Sequence, residues 1–474
     1  MTAERRPLLR DPLLVVYAFV VLAFLLPGRL IVAPLGALGN PATIAMIGAA
    51  VLYALARLVG GHLSSGRQPM RTMLVVLGTV FLISYAAGQT RPLSAAEASG
   101  SDRTLITFVG YLGLALLTMD AVRDRLHIER LLRLVVVSAS VFAVLGIAQW
   151  VTGADPEQYL VVPGLTLQEV DITLERSLFT RIKSTALHPI EFGVVLAAVL
   201  PIALHFALVG GTGRRDATRP SRWNWLPVVL ILVAIPLSVS RASVLGVAVG
   251  GAVAAAAWSW RVRLNAVVAG LAILVAMRAA FPGVLGTLLA TFQWLGSDPS
   301  IEGRTQDYPI AMGYIVERPW LGRGLGTFTP EEYFFLDNEY LGQLLTGGLL
   351  AVTALIVLFL LATGLGRGVY HHATSPRARS LGQSLAAATA VSAVTWFTYD
   401  GLGFRLNAGL AFILIGATAA LWRLEVGRFW WGENLDRTRP VQVAEPEPEP
   451  APEPEPAPEP ASQPVAASQP VAAT

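Results

Sequence analysis

About twelve apolar runs, each long enough to cross a bilayer, constrain this 474-residue chain more than any other feature. A transmembrane helix needs roughly 20 mostly apolar residues. The runs lie at about 12–28, 41–58, 72–88, 105–120, 134–152, 189–210, 225–239, 242–259, 264–281, 345–364, 382–399 and 407–423. They predict an all-α polytopic membrane protein with about twelve transmembrane helices. Ser240-Arg241 reads either as a tight turn between two helices or as an interruption of one longer run. The N-terminus, basic residues before an apolar run, reads as a first membrane helix that stays rather than a removed signal peptide.

Arginine asymmetry sets the expected orientation. With the N-terminus inside, 23 of the 35 basic residues fall in inside segments. Both termini are then cytoplasmic, and two long segments, 153–188 and 282–344, are extracytoplasmic. The outside cations run against this preference: Arg176, Arg181, Lys183, Arg241, Arg304, Arg318, Arg323 and Arg405. Together they suggest a cationic outer surface for an anionic partner; singly, each also reads as an arginine snorkelling to lipid headgroups.

There are no cysteines, which excludes disulfides and thiolate chemistry. No two histidines sit at zinc-ligand spacing with a carboxylate, so no metal and no cofactor is expected. No nucleic-acid partner is expected either. Residues 1–435 read as the transmembrane domain. Residues 436–474 change to Pro, Glu and Ala repeats that cannot build a core, an expected disordered cytoplasmic tail.

The segment from Gly303 to Val352 is polar and aromatic between strongly apolar runs, the kind of segment that carries function. Thr329-Pro330-Glu331-Glu332 reads as a helix start, predicting a short helix that ends near Leu336. The next helix begins near Asn338, so Asp337 sits at a junction. It is either a cap for that helix or a carboxylate that takes a proton from an incoming hydroxyl. Arg304 is suited to grip phosphate oxygens, or forms a loop salt bridge to Asp298, Glu302 or Asp307. Arg241, at the edge of an apolar span, is a functional candidate by its cost there, or snorkels. The stretch around Arg181, Lys183, His188 and Glu191 precedes a helix that Pro189 starts. Glu191 then lies in its first turn, as a chemical group or as a partner of the helix dipole.

These residues resemble a known family. Arg304, Pro319-Trp320-Leu321-Gly322-Arg323-Gly324-Leu325-Gly326-Thr327-Phe328, Asp337-Asn338-Glu339-Tyr340-Leu341 and Gly347-Gly348-Leu349-Leu350 look like the signature of the O-antigen ligase and polymerase superfamily. Ser240-Arg241-Ala242-Ser243 is similar to its Ser-Arg-small element. Arg181 to Gly193 resembles its upstream Arg…Asn-Pro-Asn element, imperfectly. The resemblance covers about 176–365. It implies a metal-independent glycosyltransferase of the GT-C type in a bacterial plasma membrane, active at the outer face. Its donor would be a glycan on undecaprenyl pyrophosphate or a similar lipid, its acceptor a glycan or glycolipid, its setting cell-surface polysaccharide assembly among membrane lipids. By position, Arg241 and Arg304 match arginines that hold the donor pyrophosphate. Arg181, Lys183, His188, Glu191, Arg323 and Asn338 are further candidate contacts to donor or acceptor. Asp337 falls where ligases carry a histidine. That departure weighs against transfer to lipid A and leaves a polymerase, or another glycan-transferring relative, fitting at least as well.

Two pyrophosphate-neutralising arginines make a good leaving group without reference to any family. A lipid-linked glycan flippase or other polysaccharide transporter without catalysis remains the nearest rival, although a flippase more naturally places its arginines within the bundle. A secondary transporter is disfavoured by the lack of an internal repeat or an intramembrane acid cluster. A non-catalytic scaffold is the third reading.

The orientation is directly testable. Single cysteines at Gln158 and Ser300 are expected to react with an impermeant maleimide in intact cells; labelling only after lysis contradicts the assignment.

Overall fold

The structure, a computed structural model, describes residues 11–60, 63, 64, 66–160, 162–168, 175, 176, 179–210, 221–281, 283, 286–288, 299–330 and 332–427. Of residues 175, 176, 179, 180 and 299–307 only the backbone is described. The expected tail lies outside these residues, as do Asp298 and most of 282–298.

Each apolar run coincides with a helix: α1 Leu14–Leu25, α2 Pro41–Leu58, α3 Pro69–Gly88, α4 Ala95–Ala121, α5 Arg125–Thr152, α6 Pro189–Val209, α7 Leu226–Leu237, α8 Arg241–Ala255 and α9 Trp260–Ala280. After an added helix, α10 Pro299–Glu317, come α11 Glu339–His372, α12 Pro376–Thr395 and α13 Arg405–Glu425. Among the described residues, eight helices are long and apolar enough to cross a membrane, namely α2 to α6, α9, α11 and α13. Three shorter apolar helices accompany them, at Leu14–Leu25, Arg222–Leu237 and Arg241–Ala255.

Local chemistry fixes the ends. Asn40 caps α2 by accepting from the Ala42 and Thr43 amides at 3.0 and 3.4 Å, with Pro41 at the first helical position. Ser94 and Glu97 form a reciprocal capping box on α4. Gly153 closes α5 in the left-handed conformation. The Ser240-Arg241 turn is real: α7 ends at Leu237, Val239 takes φ 47°, and α8 starts at Arg241.

α13 is the axis of the bundle, buried along nearly its whole length against α1, α2, α4, α5, α6, α11 and α12. Lipid tails are as apolar as leucine, so close packing rather than water exclusion must hold such helices. Accordingly a Cβ on Gly382 of α12 would meet the Gly366 carbonyl of α11 at 2.8 Å. α9 stands at the rim, with Met277 alone buried among its residues. Two short antiparallel ladders, β1 Leu30–Ile31 with β2 Thr166–Leu167 and β3 Glu175–Arg176 with β4 Phe179–Thr180, lie in the connections at one end.

The segment before α11 differs from its sequence reading in two ways. Residues 299–317 form a 19-residue helix where an irregular stretch was expected. The expected helix over 329–336 is a single turn, with the Tyr333 amide bonded to the Thr329 carbonyl at 3.0 Å. Aromatic packing overrides the helix-start signals: Phe328 stacks on Tyr333 at 4.4 Å and meets Phe334 edge-on at 5.1 Å.

α11 is interrupted at Gly348, whose φ of 68° and ψ of −169° only glycine tolerates. The break releases backbone groups, and segment 319–324 takes them up. The Arg323 and Gly324 amides each donate at 2.9 Å, to the Leu345 and Thr346 carbonyls respectively. In return Leu349 and Leu350 donate to the carbonyls of Pro319 and Trp320 at 2.8 and 3.4 Å. Ser84 of α3 bonds both strands of this clamp, at the Leu321 and Thr346 carbonyls.

A Cβ on Gly348 would strike the Trp320 backbone, whereas one on Gly364 of the same helix meets nothing. Gly348→Ala is therefore expected to cost at least about 1–3 kcal/mol, read as a lower apparent Tm in detergent. Gly364→Ala is expected to be neutral or stabilising. Equal melting of the two variants contradicts the clamp.

Candidate functional site

The N-termini of α6, α8, α11 and α13 lie at one end of the bundle, where two buried carboxylates tie α6 to α13 and α11 to the α12–α13 connection. Glu191, in the first turn of α6, accepts the Leu187 amide at 2.9 Å and the Asn407 amide of α13 at 3.3 Å. It is 1% exposed. Glu339, at the start of α11, accepts the Leu402 amide and the Gln343 side-chain amide at 2.9 and 2.8 Å, with Asp400 alongside. Its own amide donates to the Trp396 carbonyl at 2.9 Å. These contacts lock α11 to the α12–α13 connection. Helix N-termini carry partial positive charge and unsatisfied amides, so this end of the bundle suits anions.

The upstream candidates reach the same end. Arg181 is buried and donates from Nε to the Ser238 carbonyl at 3.2 Å, on the turn that leads to Arg241. Gly193 of α6 packs against Ser238 and Ser243, whose hydroxyls lie 3.2 Å apart. Arg241 itself is half-buried at the head of α8. His188 is the cap of α6, its Nδ1 accepting the Ile190 amide at 3.1 Å. Lys183 is 1% exposed and salt-bridged to Glu157 at 2.6 Å and Asp155 at 3.3 Å. Its charge is committed to the protein.

Near α11, Asn338 rather than Asp337 is the helix cap, accepting the Leu341 amide at 3.2 Å. Asp337 is exposed one residue before it. The capping reading of Asp337 is thereby corrected: the side chain one position later has the reach to the third helical amide. Arg304 lies within α10 rather than at the opening of a loop, and its side chain and that of Asp307 fall outside the description.

Arg323 belongs to a hub that fixes the glycine-rich turn. Its guanidinium lies 4.4 Å over the Tyr314 ring, bonds the Tyr333 hydroxyl at 2.9 Å and pairs with Glu97 at 3.6 Å. Glu97 also takes Arg91 at 2.6 Å and the Tyr333 hydroxyl at 2.8 Å. Burial, and next the Glu97 bond, raise the Tyr333 phenol above its ordinary range. The sequence alone singles out none of Glu97, Arg91 and Tyr333 as a site residue, and gives Glu339 a place in the signature but no role. The Ser94-x-x-Glu97 pattern signals the capping role of Glu97, and Arg91 lies only six residues upstream, but the second arginine partner, Arg323, comes from elsewhere in the fold. Among the described residues no three His, Asp or Glu side chains are grouped to hold a metal ion.

Helix N-termini and the buried Arg181 gather at one end of the helical bundle, where the local charge suits an anionic group. Residues 226–356 match the family model O-Antigen ligase, so this part of the chain is similar to that family. The match takes in Arg241, Arg304, Arg323, Asp337 and Asn338, and leaves out Arg181, Lys183, His188 and Glu191. No curated protein matches the chain.

The hub yields a stability test. Glu97→Gln leaves Arg91 and Arg323 without their carboxylate, an expected loss of about 1–3 kcal/mol. Tyr333→Phe removes hydrogen bonds alone and is expected to cost about 1 kcal/mol. Thermal unfolding compares them; a larger loss in Tyr333→Phe contradicts the assignment of Glu97 as the hub.

Proposed function

We propose that the protein transfers a glycan from a polyprenyl-pyrophosphate-linked donor to an acceptor glycan or lipid at the outer face of the plasma membrane, without a metal. The observation that carries this reading is the seat of Arg181 on the Ser238 carbonyl. It brings the upstream basic element onto the turn of Arg241, at the end of the bundle where α6, α8, α11 and α13 begin. Arg241 and Arg304 hold the pyrophosphate, Arg304 from α10. The paired donors of guanidinium match phosphate oxygens.

The chemistry then needs one bond exchange. The bond from the anomeric carbon to the pyrophosphate oxygen breaks, and a bond from that carbon to the acceptor oxygen forms. The acceptor's proton passes to the Asp337 carboxylate. The electron pair leaves with the lipid pyrophosphate, whose charge the arginines and helix N-termini stabilise. Asp337 is exposed next to the Asn338 cap, where an acceptor can reach it. With a carboxylate as base, a polymerase or related glycan transferase fits at least as well as transfer to lipid A.

Arg241→Ala and Arg304→Ala are expected to cut transfer at least 100-fold, in line with loss of about 3 kcal/mol of charge stabilisation. Lysine is expected to restore it in part, since a point charge replaces a fork. Asp337→Asn is expected to abolish turnover while donor binding and melting temperature persist. Because Asn338 already caps α11, the loss cannot be ascribed to capping. Near-normal turnover of the Asn variant would reduce Asp337 to a surface residue.

A further inference from the structure

A groove of about 470 Å³ opens between α1 and α5, with no arginine in its lining. Leu25, Val141, Leu145 and Ala148 form its apolar walls, and the connection over Pro156 and Tyr159 roofs one end. Val141 is 42% exposed, and so are its apolar neighbours Val144 at 46% and Val151 at 67%. These residues lie on α5, a helix long and apolar enough to cross a membrane, where an exposed apolar surface suits lipid better than water.

Two properties select the occupant. From Val141 to Thr152 the groove follows α5 for about 16 Å at the helical rise. That is about half of the roughly 30 Å hydrocarbon core, the depth of one leaflet. The second property is charge. At the roofed end the Lys183 ammonium is held by Glu157 and Asp155, and Arg29 donates to Glu157 at 3.4 Å and to the Gln168 carbonyl at 2.9 Å. The cations there are matched by carboxylates, which disfavours a pyrophosphate head. A polyprenyl chain would also run far beyond one leaflet's depth.

We propose that this groove binds one acyl chain of a zwitterionic bilayer phospholipid, from the leaflet on the side of the candidate site. The chain packs along α5, and the bound lipid bears on the basic element through Gln149. The Gln149 side-chain oxygen Oε1, from a residue of the groove wall, accepts the Lys183 and Ser184 amides at 3.0 and 2.8 Å. An occupied groove therefore steadies the strand that carries Arg181 without contributing to donor recognition.

The test uses full-length protein, delipidated in mild detergent and titrated with phosphatidylethanolamine, read by native mass spectrometry and by thermal melting. Ala148→Trp fills the groove from an exposed position. It is expected to weaken retention of one phospholipid at least tenfold and to abolish the rise in melting temperature that the lipid gives the wild type. Val141→Trp, at the other end, gives the same result by the same reasoning and serves if the first variant does not fold. Retention equal to wild type in the folded variants overturns the proposal. So does displacement of the phospholipid by equimolar polyprenyl phosphate, which would assign the groove to the donor lipid.

Discussion

The structure depends on a broken helix repaired from outside. Gly348 interrupts α11, and segment 319–324 supplies the partners that the break leaves wanting. An unsatisfied backbone group in a membrane interior costs several kcal/mol, so the four exchanged bonds are obligatory. The clamp also explains the glycines on both sides. A Cβ at Gly322 would enter the Thr346 backbone, and one at Gly324 would meet Gly88 of α3. Backbone lies directly on backbone, with no room for side chains between.

The clamp is one of several anchors of the site. It fixes the start of α11, where Asp337 and Asn338 sit, while Glu339 ties the same helix to the α12–α13 connection. The Arg323 hub then pins the turn to α4 through Glu97. Glu191 joins α6 to α13, and Arg181 joins the upstream strand to the start of α8. Four helix starts are thus held by hydrogen bonds to groups from other elements. A site that must neutralise a dianionic leaving group gains from such preorganised dipoles, because they need not reorient as charge develops.

The sequence was most legible where one helix's own pattern decides. Apolar length located the helices, though among the described residues eight rather than about twelve are long and apolar enough to cross a membrane, and Pro41, Pro189 and Pro376 mark the starts of α2, α6 and α12. The Asn338 start of α11 was legible for the same reason. Legibility failed where partners come from distant sequence. The Thr329 to Glu332 signals lost to ring packing of Phe328 on Tyr333, and residues 299–317 became helical although their polar composition carries no membrane signal. Lys183 looked available for a ligand, yet Asp155 and Glu157, 28 and 26 residues upstream, take its charge. A buried charge finds a partner or is not buried, but a lone sequence does not say which carboxylate it will be.

The central claim is that this end of the bundle exchanges a glycosidic bond rather than moving an intact lipid-linked glycan. The direct measurement is a time course with purified protein, a defined polyprenyl-pyrophosphate-linked glycan and a candidate acceptor glycan in detergent, in the presence of a metal chelator. The account predicts that elongated or conjugated glycan and liberated polyprenyl pyrophosphate appear together in equal amounts. Donor that stays intact in solution with every acceptor tried, while reconstituted protein carries it across vesicles, would contradict it and favour a flippase.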